Sequence, residues 1–297
     1  MASVAVVVFL LIHLVPDDPA ALIAGELATT EDVARLRAIL QLDQPLWHQF
    51  GHWIGQLARG DLGSSIFTQV PVTALLMQRI EPTLSIALAT TVFAMAVAIP
   101  LGTLAAHLSG GWIDRCIMLL AVLAFSTPVL LIAHALVYGF SVRLGWLPVQ
   151  GYSRLSEGVT PWLRSLTLPC LCASVVFIAL LTRMTRAAVS EVLKEDYMLA
   201  ARAKGLGVAA LLAHAVRNAA IPIATTIGIG LTQLMAGVVI TETVFGIPGI
   251  GRLVFDAVRH RDYPVIQSVL LLSAGVYVLL NSAIDLSYGW LDPRIGR

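Results

Sequence analysis

The stretch TLSIALATTVFAMAVAIPLGTLAAH, Thr83 to His107, runs for 25 residues without an Asp, Glu, Lys or Arg. About 20 such residues are enough for a helix to cross the ~30 Å hydrocarbon core of a bilayer. Cys116 to Phe140, Leu166 to Leu181, Ala219 to Thr241 and Val265 to Leu280 have the same character, the last continuing amphipathically to Trp290. Over the whole chain of 297 residues, 58% are hydrophobic and 12% are charged, against roughly 25% charged in soluble domains. The expected fold is therefore an all-α polytopic membrane protein embedded in a lipid bilayer. A net charge of +1 leaves no basic field of the kind that nucleic acid binding requires. Cys116, Cys170 and Cys172 lie in or beside apolar runs and form no even framework.

The first apolar run, Met1 to Val15, is 15 residues long with no basic residue ahead of it, and HLVPDDPA is a poor small-residue cleavage site. We read it as part of a spanning helix rather than a signal peptide. Six spans then place both termini on one side. Arg115, Arg183, Arg186, Lys194, Arg202, Lys204, Arg217, Arg294 and Arg297 fall on that side. The opposite side carries ten Lys and Arg spread over more than twice the length and outnumbered by twelve acids. The positive-inside rule makes the denser side cytoplasmic.

Three regions follow: a first span over residues 1–15, an external segment over 16–81, and a core transmembrane region over 82–297 with a cytoplasmic loop at 183–217. In the external segment TTEDVARLRAIL has a capping residue, acids in its first turn and apolar positions at Val33, Leu36, Ile39 and Leu40, which predicts an amphipathic surface helix. Pro100, Pro128, Pro169 and Pro222 sit inside or near the ends of spans and predict bends, because each removes a backbone donor.

Between the fourth and fifth spans stands DYMLAARAKGLG, Asp196 to Gly207. Asp196 suits a helix N-cap, Ala200, Ala201 and Ala203 keep the helix slim, and Gly205 can adopt the left-handed conformation that ends it. Such a helix can enter a groove on a partner with Arg202 and Lys204 at the rim. The same residues also fit an ordinary connecting loop. No G-x-x-x-x-G-K-[ST] occurs, and Lys194 and Lys204, the two lysines of the chain, follow no phosphate-cradling loop. H-E-x-x-H and G-x-S-x-G are also missing, so hydrolase chemistry has no motif behind it.

AARAKGLG, with HAVRNAAIP at His214 to Pro222, resembles the signature loop of ABC importer permease subunits. QLDQPLWHQF, GDLGSSIF, LGWLPVQG, LTRMTRAAVSEVL, ETVFGIPGIGRL, HRDYPVI and LDPRIGR appear in the order seen in one membrane subunit of dipeptide and oligopeptide importers, a family that includes nickel importers. The resemblance implies the six-helix type I importer permease fold. It makes Asp196, Ala200, Ala201, Arg202, Ala203, Lys204, Gly205 and Leu206 the coupling helix region that docks on a separate ATPase. It also implies a homologous second permease subunit, two cytoplasmic ATP-binding subunits that hold ATP and Mg, an external solute-binding protein and residence in the bacterial inner membrane. No cofactor is expected in this chain. Leu199 stands where many ABC importers have Glu, and Asp17, within Pro16 to Pro19, stands where the family usually has Gly.

Peptides, glutathione-like peptides included, are the expected solutes, with nickel or another small solute as the alternative. His13, His107 and His134 share no ligand spacing, and Cys170 and Cys172 point about 200° apart on a helix, which suits packing better than metal binding. A self-contained secondary transporter would need midplane ion sites in repeated halves, and no repeat is visible. On the external side after the fifth span, Phe245, Pro248 and Gly249 form a turn that the resemblance places beside the pathway. Asn281 and Asp285, one turn apart in the last span, are the sharpest intramembrane polar pair, suited to gating or to bonding a neighbouring helix.

Overall fold

The computed structural model describes residues 2–14, 29–39 and 43–291. These residues fold as helices: α1 Ala2–Leu14, α2 Thr30–Ile39, α3 Leu46–Ala58, α4 Val72–His107, α5 Trp112–Ser126, α6 Val129–Leu136, α7 Val159–Val192, α8 Asp196–Ala203, α9 Val208–Asn218, α10 Ala220–Val244, α11 Ile250–Arg259 and α12 Tyr263–Leu291. Residues 16–19, Leu40 and the tail after Leu291 lie outside the described residues.

Among the described residues, three helices are long and apolar enough to cross a membrane, Val72–His107, Val159–Val192 and Tyr263–Leu286. The pairs α5 with α6 and α9 with α10 pass the same test together, each with a bend. At 13 residues, α1 is only about 20 Å long at 1.5 Å per residue.

The expected span from Cys116 to Phe140 is broken by 102° between α5 and α6. The cause is local. Pro128 disfavours helical geometry at the residue before it, and Thr127 is extended, at φ −87° and ψ 127°. Thr127 Oγ1 donates to the Leu123 carbonyl at 2.7 Å, occupying an acceptor that the helix end leaves open. A new helix starts at Val129 and closes in a π-helical turn, Val137–Arg143. Pro100 and Pro169, by contrast, are absorbed within α4 and α7. The second bend, 61°, falls between α9 and α10 at Ala219, three residues before Pro222.

The chain divides into two compact units. The first comprises residues 1–80 and 253–276. In it Phe9 of α1 packs against Phe50 and Trp53 of α3, and the Gln267 amide donates to the Val8 carbonyl at 3.1 Å. Asp262 is buried there, and its carboxylate accepts from Ser65 Oγ and, at 3.1 Å, from the Ile66 N–H. That pins the loop GDLGSSIF to the HRDYP turn.

The second unit comprises residues 81–252 and 277–297 and has two apolar clusters. One joins Ile86, Ala133, Leu166, Leu168, Val238, Phe245 and Ile247. The other joins Ala94, Ala98, Ala106, Phe177, Leu181, Val189, Met198, Leu211 and Ala215. Ala94, Ala98 and Ala106 of α4 are fully or almost fully buried, and their small side chains let helix backbones approach closely where lipid gives no hydrophobic drive between helices.

Candidate functional site

The short helix α8 is built as a handle. Seven of the eight residues Asp196–Ala203 are exposed or partly exposed, whereas Met198 is buried to 1% among Ala188 and Val189 of α7, Leu211 and Ala215 of α9 and Ala106 of α4. One apolar peg therefore holds the helix to the bundle. The face turned away from Met198 centres on Ala200 and Ala203, flanked by Tyr197 and Leu199, which are 48% and 54% exposed. Small residues between two large apolar ones make a shallow surface on which a partner's groove can seat.

The end of α8 is set by hydrogen bonding. Gly205 has φ +83°, its N–H donates to the Arg202 carbonyl at 2.9 Å, and the Leu206 N–H reaches the Ala201 carbonyl at 3.3 Å. This pair of bonds is the Schellman termination that a left-handed residue permits. Leu206 folds back against the apolar cluster that holds Met198. Lys204 and Arg202 stay exposed at the rim. At the other end the N-cap is Glu195, with extended backbone, and Asp196 occupies the first turn, where its charge still favours the helix dipole.

The turn after α10 is organised by a residue that the sequence pattern did not single out. Glu242 is fully buried. Its Oε1 accepts from Thr83 Oγ1 of α4 at 2.6 Å, and its Oε2 accepts from the Arg252 N–H at 2.9 Å. The Ile250 N–H donates in turn to Thr83 Oγ1 at 2.8 Å. The carboxylate and the Thr83 hydroxyl thus satisfy N–H groups in the first turn of α11, where negative charge is favoured by the helix dipole. Gly249 is buried against the Glu242 carboxylate, in space that any Cβ would take from it. The chemistry of ETVFGIPGIG is therefore a buried carboxylate closing a loop over itself.

Phe245 is 1% exposed within the cluster of Ile86, Leu166 and Ile247, and Pro248 is exposed at the tip of the turn. The loop LGWLPVQG is tied to the same place, with Gly151 N–H donating to the Phe245 carbonyl at 2.9 Å and the Gln150 amide to the Val244 carbonyl at 3.0 Å. Beside it, Tyr152 Oη donates to Glu81 Oε1 at 3.2 Å and lies 3.1 Å from Ser85 Oγ. Burial pushes the Tyr152 phenol above its ordinary pKa, so it stays a donor. Glu81 and Ser85 of α4, the loop before α7 and the end of α10 thus meet in one polar knot.

Asp285 is exposed on α12, and the Asn281 amide donates to the Tyr277 carbonyl of its own helix at 3.0 Å. A side chain bonding back one turn satisfies itself locally. Cys170 and Cys172 are buried in the bundle. For Glu242 the sequence shows an acid directly ending an apolar run, but not the distant Thr83 partner that gives it its role.

Residues 98–297 match the family described as binding-protein-dependent transport system inner membrane component, and residues 1–87 match its N-terminal companion. The chain is 49% identical to a probable peptide ABC transporter permease protein of Sinorhizobium fredii, over 99% of this chain and 95% of that one. It is 41% identical to a glutathione transport system permease protein, GsiC, of Escherichia coli, over 98% and 93% of the two chains. A putative peptide transport system permease protein of Brucella abortus is 40% identical over 99% and 94%. Among solved structures, the inward-facing MetNI methionine ABC transporter superposes with a TM-score of 0.60 at 17% identity, covering 74% of this chain and 97% of that one, a likeness of fold. The chain belongs to the inner membrane component family of binding-protein-dependent transport systems.

Proposed function

We propose that this chain is the permease subunit of an ATP-driven importer of peptides, in which it pairs with a homologous second permease and both termini face the cytoplasm. Two cytoplasmic subunits bind ATP and Mg, and their motion enters this chain through α8. An external binding protein delivers the solute. The observation that carries the reading is the construction of α8: a slim helix held by Met198, ended by Gly205 and presenting Ala200 and Ala203 between Tyr197 and Leu199. Its basic surroundings, Lys194, Arg202, Lys204 and Arg217, favour the cytoplasmic side. Peptide as the solute is supported by the relatives, whose names specify peptide or glutathione.

Catalysis of ATP hydrolysis is assigned to the partners, because this chain has no phosphate-binding motif. Differential affinity of the ATP-binding subunits for two permease conformations is what makes such a drive possible. The turn formed by Phe245, Pro248 and Gly249 is the external gate element in this reading, with Glu242 as its fastening. Affinity purification of the tagged chain from its own cell tests the assembly. The expected result is a complex with a second permease and two ATP-binding subunits; isolation of the chain as a self-sufficient homo-oligomer would reject it.

A further inference from the structure

The end of α7 next to α8 carries an ion pair that neither the coupling helix nor the external turn uses. Asp114, in the first turn of α5, is buried, with its side chain 4% exposed; Arg186 of α7 is 30% exposed. Arg186 Nε donates to Asp114 Oδ1 at 2.5 Å and Nη2 to Oδ2 at 2.7 Å, a two-pronged fork. The Gly110 N–H adds a third bond to Oδ2 at 2.9 Å. The turn between α4 and α5 is thereby fixed to the same carboxylate.

Stability alone does not explain this choice of residues. A buried ion pair gives back much of its attraction as desolvation, and apolar replacements of similar volume are often neutral or stabilising. What a fork supplies is geometry, since two parallel bonds hold one orientation. The neighbouring hydroxyls of Thr182, Thr185 and Ser190 on α7 make no hydrogen bond among the described residues. The fork is therefore the directional polar contact that fixes α7 against α5 here. One turn further on, Ala188 and Val189 belong to the same buried cluster as Met198, the peg of α8.

We propose that Asp114 and Arg186 are the positioning pair that carries a displacement of α8 into α5. A push on α8 reaches the end of α7 through Met198, and the fork turns that motion into movement of α5 rather than slippage between the two helices. The proposal rests on the reading of α8 as the coupling helix.

The test uses the full complex in a background without the native cysteines. A bimane label on Ser109→Cys, in the exposed turn before α5, reports movement there when ATP and vanadate trap the ATP-binding subunits. A separate Ala203→Cys variant is tested for cross-linking to an ATP-binding subunit, which checks the role of α8. Two changes are compared with the parent: Arg186→Lys, which keeps the charge but loses the fork, and the double change Asp114→Leu with Arg186→Met, which removes both charges. The expected result is a bimane shift in the parent that falls at least threefold in both variants, while cross-linking, nucleotide trapping and complex yield stay within twofold. A merely structural pair would leave the bimane shift intact wherever yield is intact. A full shift in either well-assembled variant, or no shift in the parent, overturns the proposal. Failure of the Ala203→Cys cross-link in the parent refutes instead the coupling role of α8 and takes the proposal with it.

Discussion

Replacing Gly249 by Ala should open the turn between α10 and α11, and the size of the effect follows from the geometry of Glu242. An alanine Cβ at this position falls on the Glu242 carboxylate. That carboxylate is the end of a flexible side chain, so the clash is relieved by rotating it away rather than by moving backbone. Rotation breaks the bonds from Thr83 Oγ1 and the Arg252 N–H. Hydrogen bonds to a charged group are worth about 1.5–3 kcal/mol each, and water reaching the displaced carboxylate recovers part, which leaves a loss of about 3 kcal/mol. At 1.4 kcal/mol per factor of ten, that raises the population of the opened turn by about 150-fold. Ile247 is fully buried in the closed turn, so Ile247→Cys in a background without native cysteines reads the opening through its rate of maleimide labelling. Where opening and closing are fast, the rate scales with the open population. Labelling of the Gly249→Ala variant at the parent rate would refute the view that Glu242 and Gly249 form one fastening.

Gly205→Val places a β-branched residue at φ +83°. No neighbour lies close to the added Cβ, so the cost is backbone strain of about 1–2 kcal/mol. Solute-stimulated ATP hydrolysis by the reconstituted complex should fall with insertion intact, and an unchanged rate would count against the assigned helix ending. Single cysteines at Ala209 and Ser64, both exposed, should label from opposite sides of sealed cells with Ser64 outside; labelling of both from one side contradicts the six-span topology. Because Asp285 is exposed on α12 and Asn281 bonds its own helix, Asp285→Asn should leave uptake within twofold. Lost uptake at normal yield in Asp285→Asn would make this carboxylate part of the pathway.

Hydropathy reports the lipid slab, and the helices outrun it. The window at Thr83 begins late because Arg79, Glu81 and Pro82 interrupt the apolar run, yet α4 starts at Val72. The window from Leu166 to Leu181 likewise covers the middle of Val159–Val192. Pro128 marked a bend but not its 102° size, which depends on Thr127 turning extended between two separately packed helices. Gly205 and the alanines of α8 were readable because a helix ending is a local event. Glu242 and Asp114 were not, because the partners that give them meaning lie 159 and 72 residues away. Asp285 stands inside an apolar run, and the side to which α12 turns it is decided by tertiary packing that the run does not record.

Solute uptake into proteoliposomes that hold this chain with its second permease, both ATP-binding subunits and the binding protein tests the central claim most directly. With labelled trialanine and labelled glutathione as probes, accumulation of at least one should require Mg-ATP inside, the binding protein outside and every subunit. Accumulation by this chain alone, or by the complex driven by an ion gradient without ATP, would contradict the account.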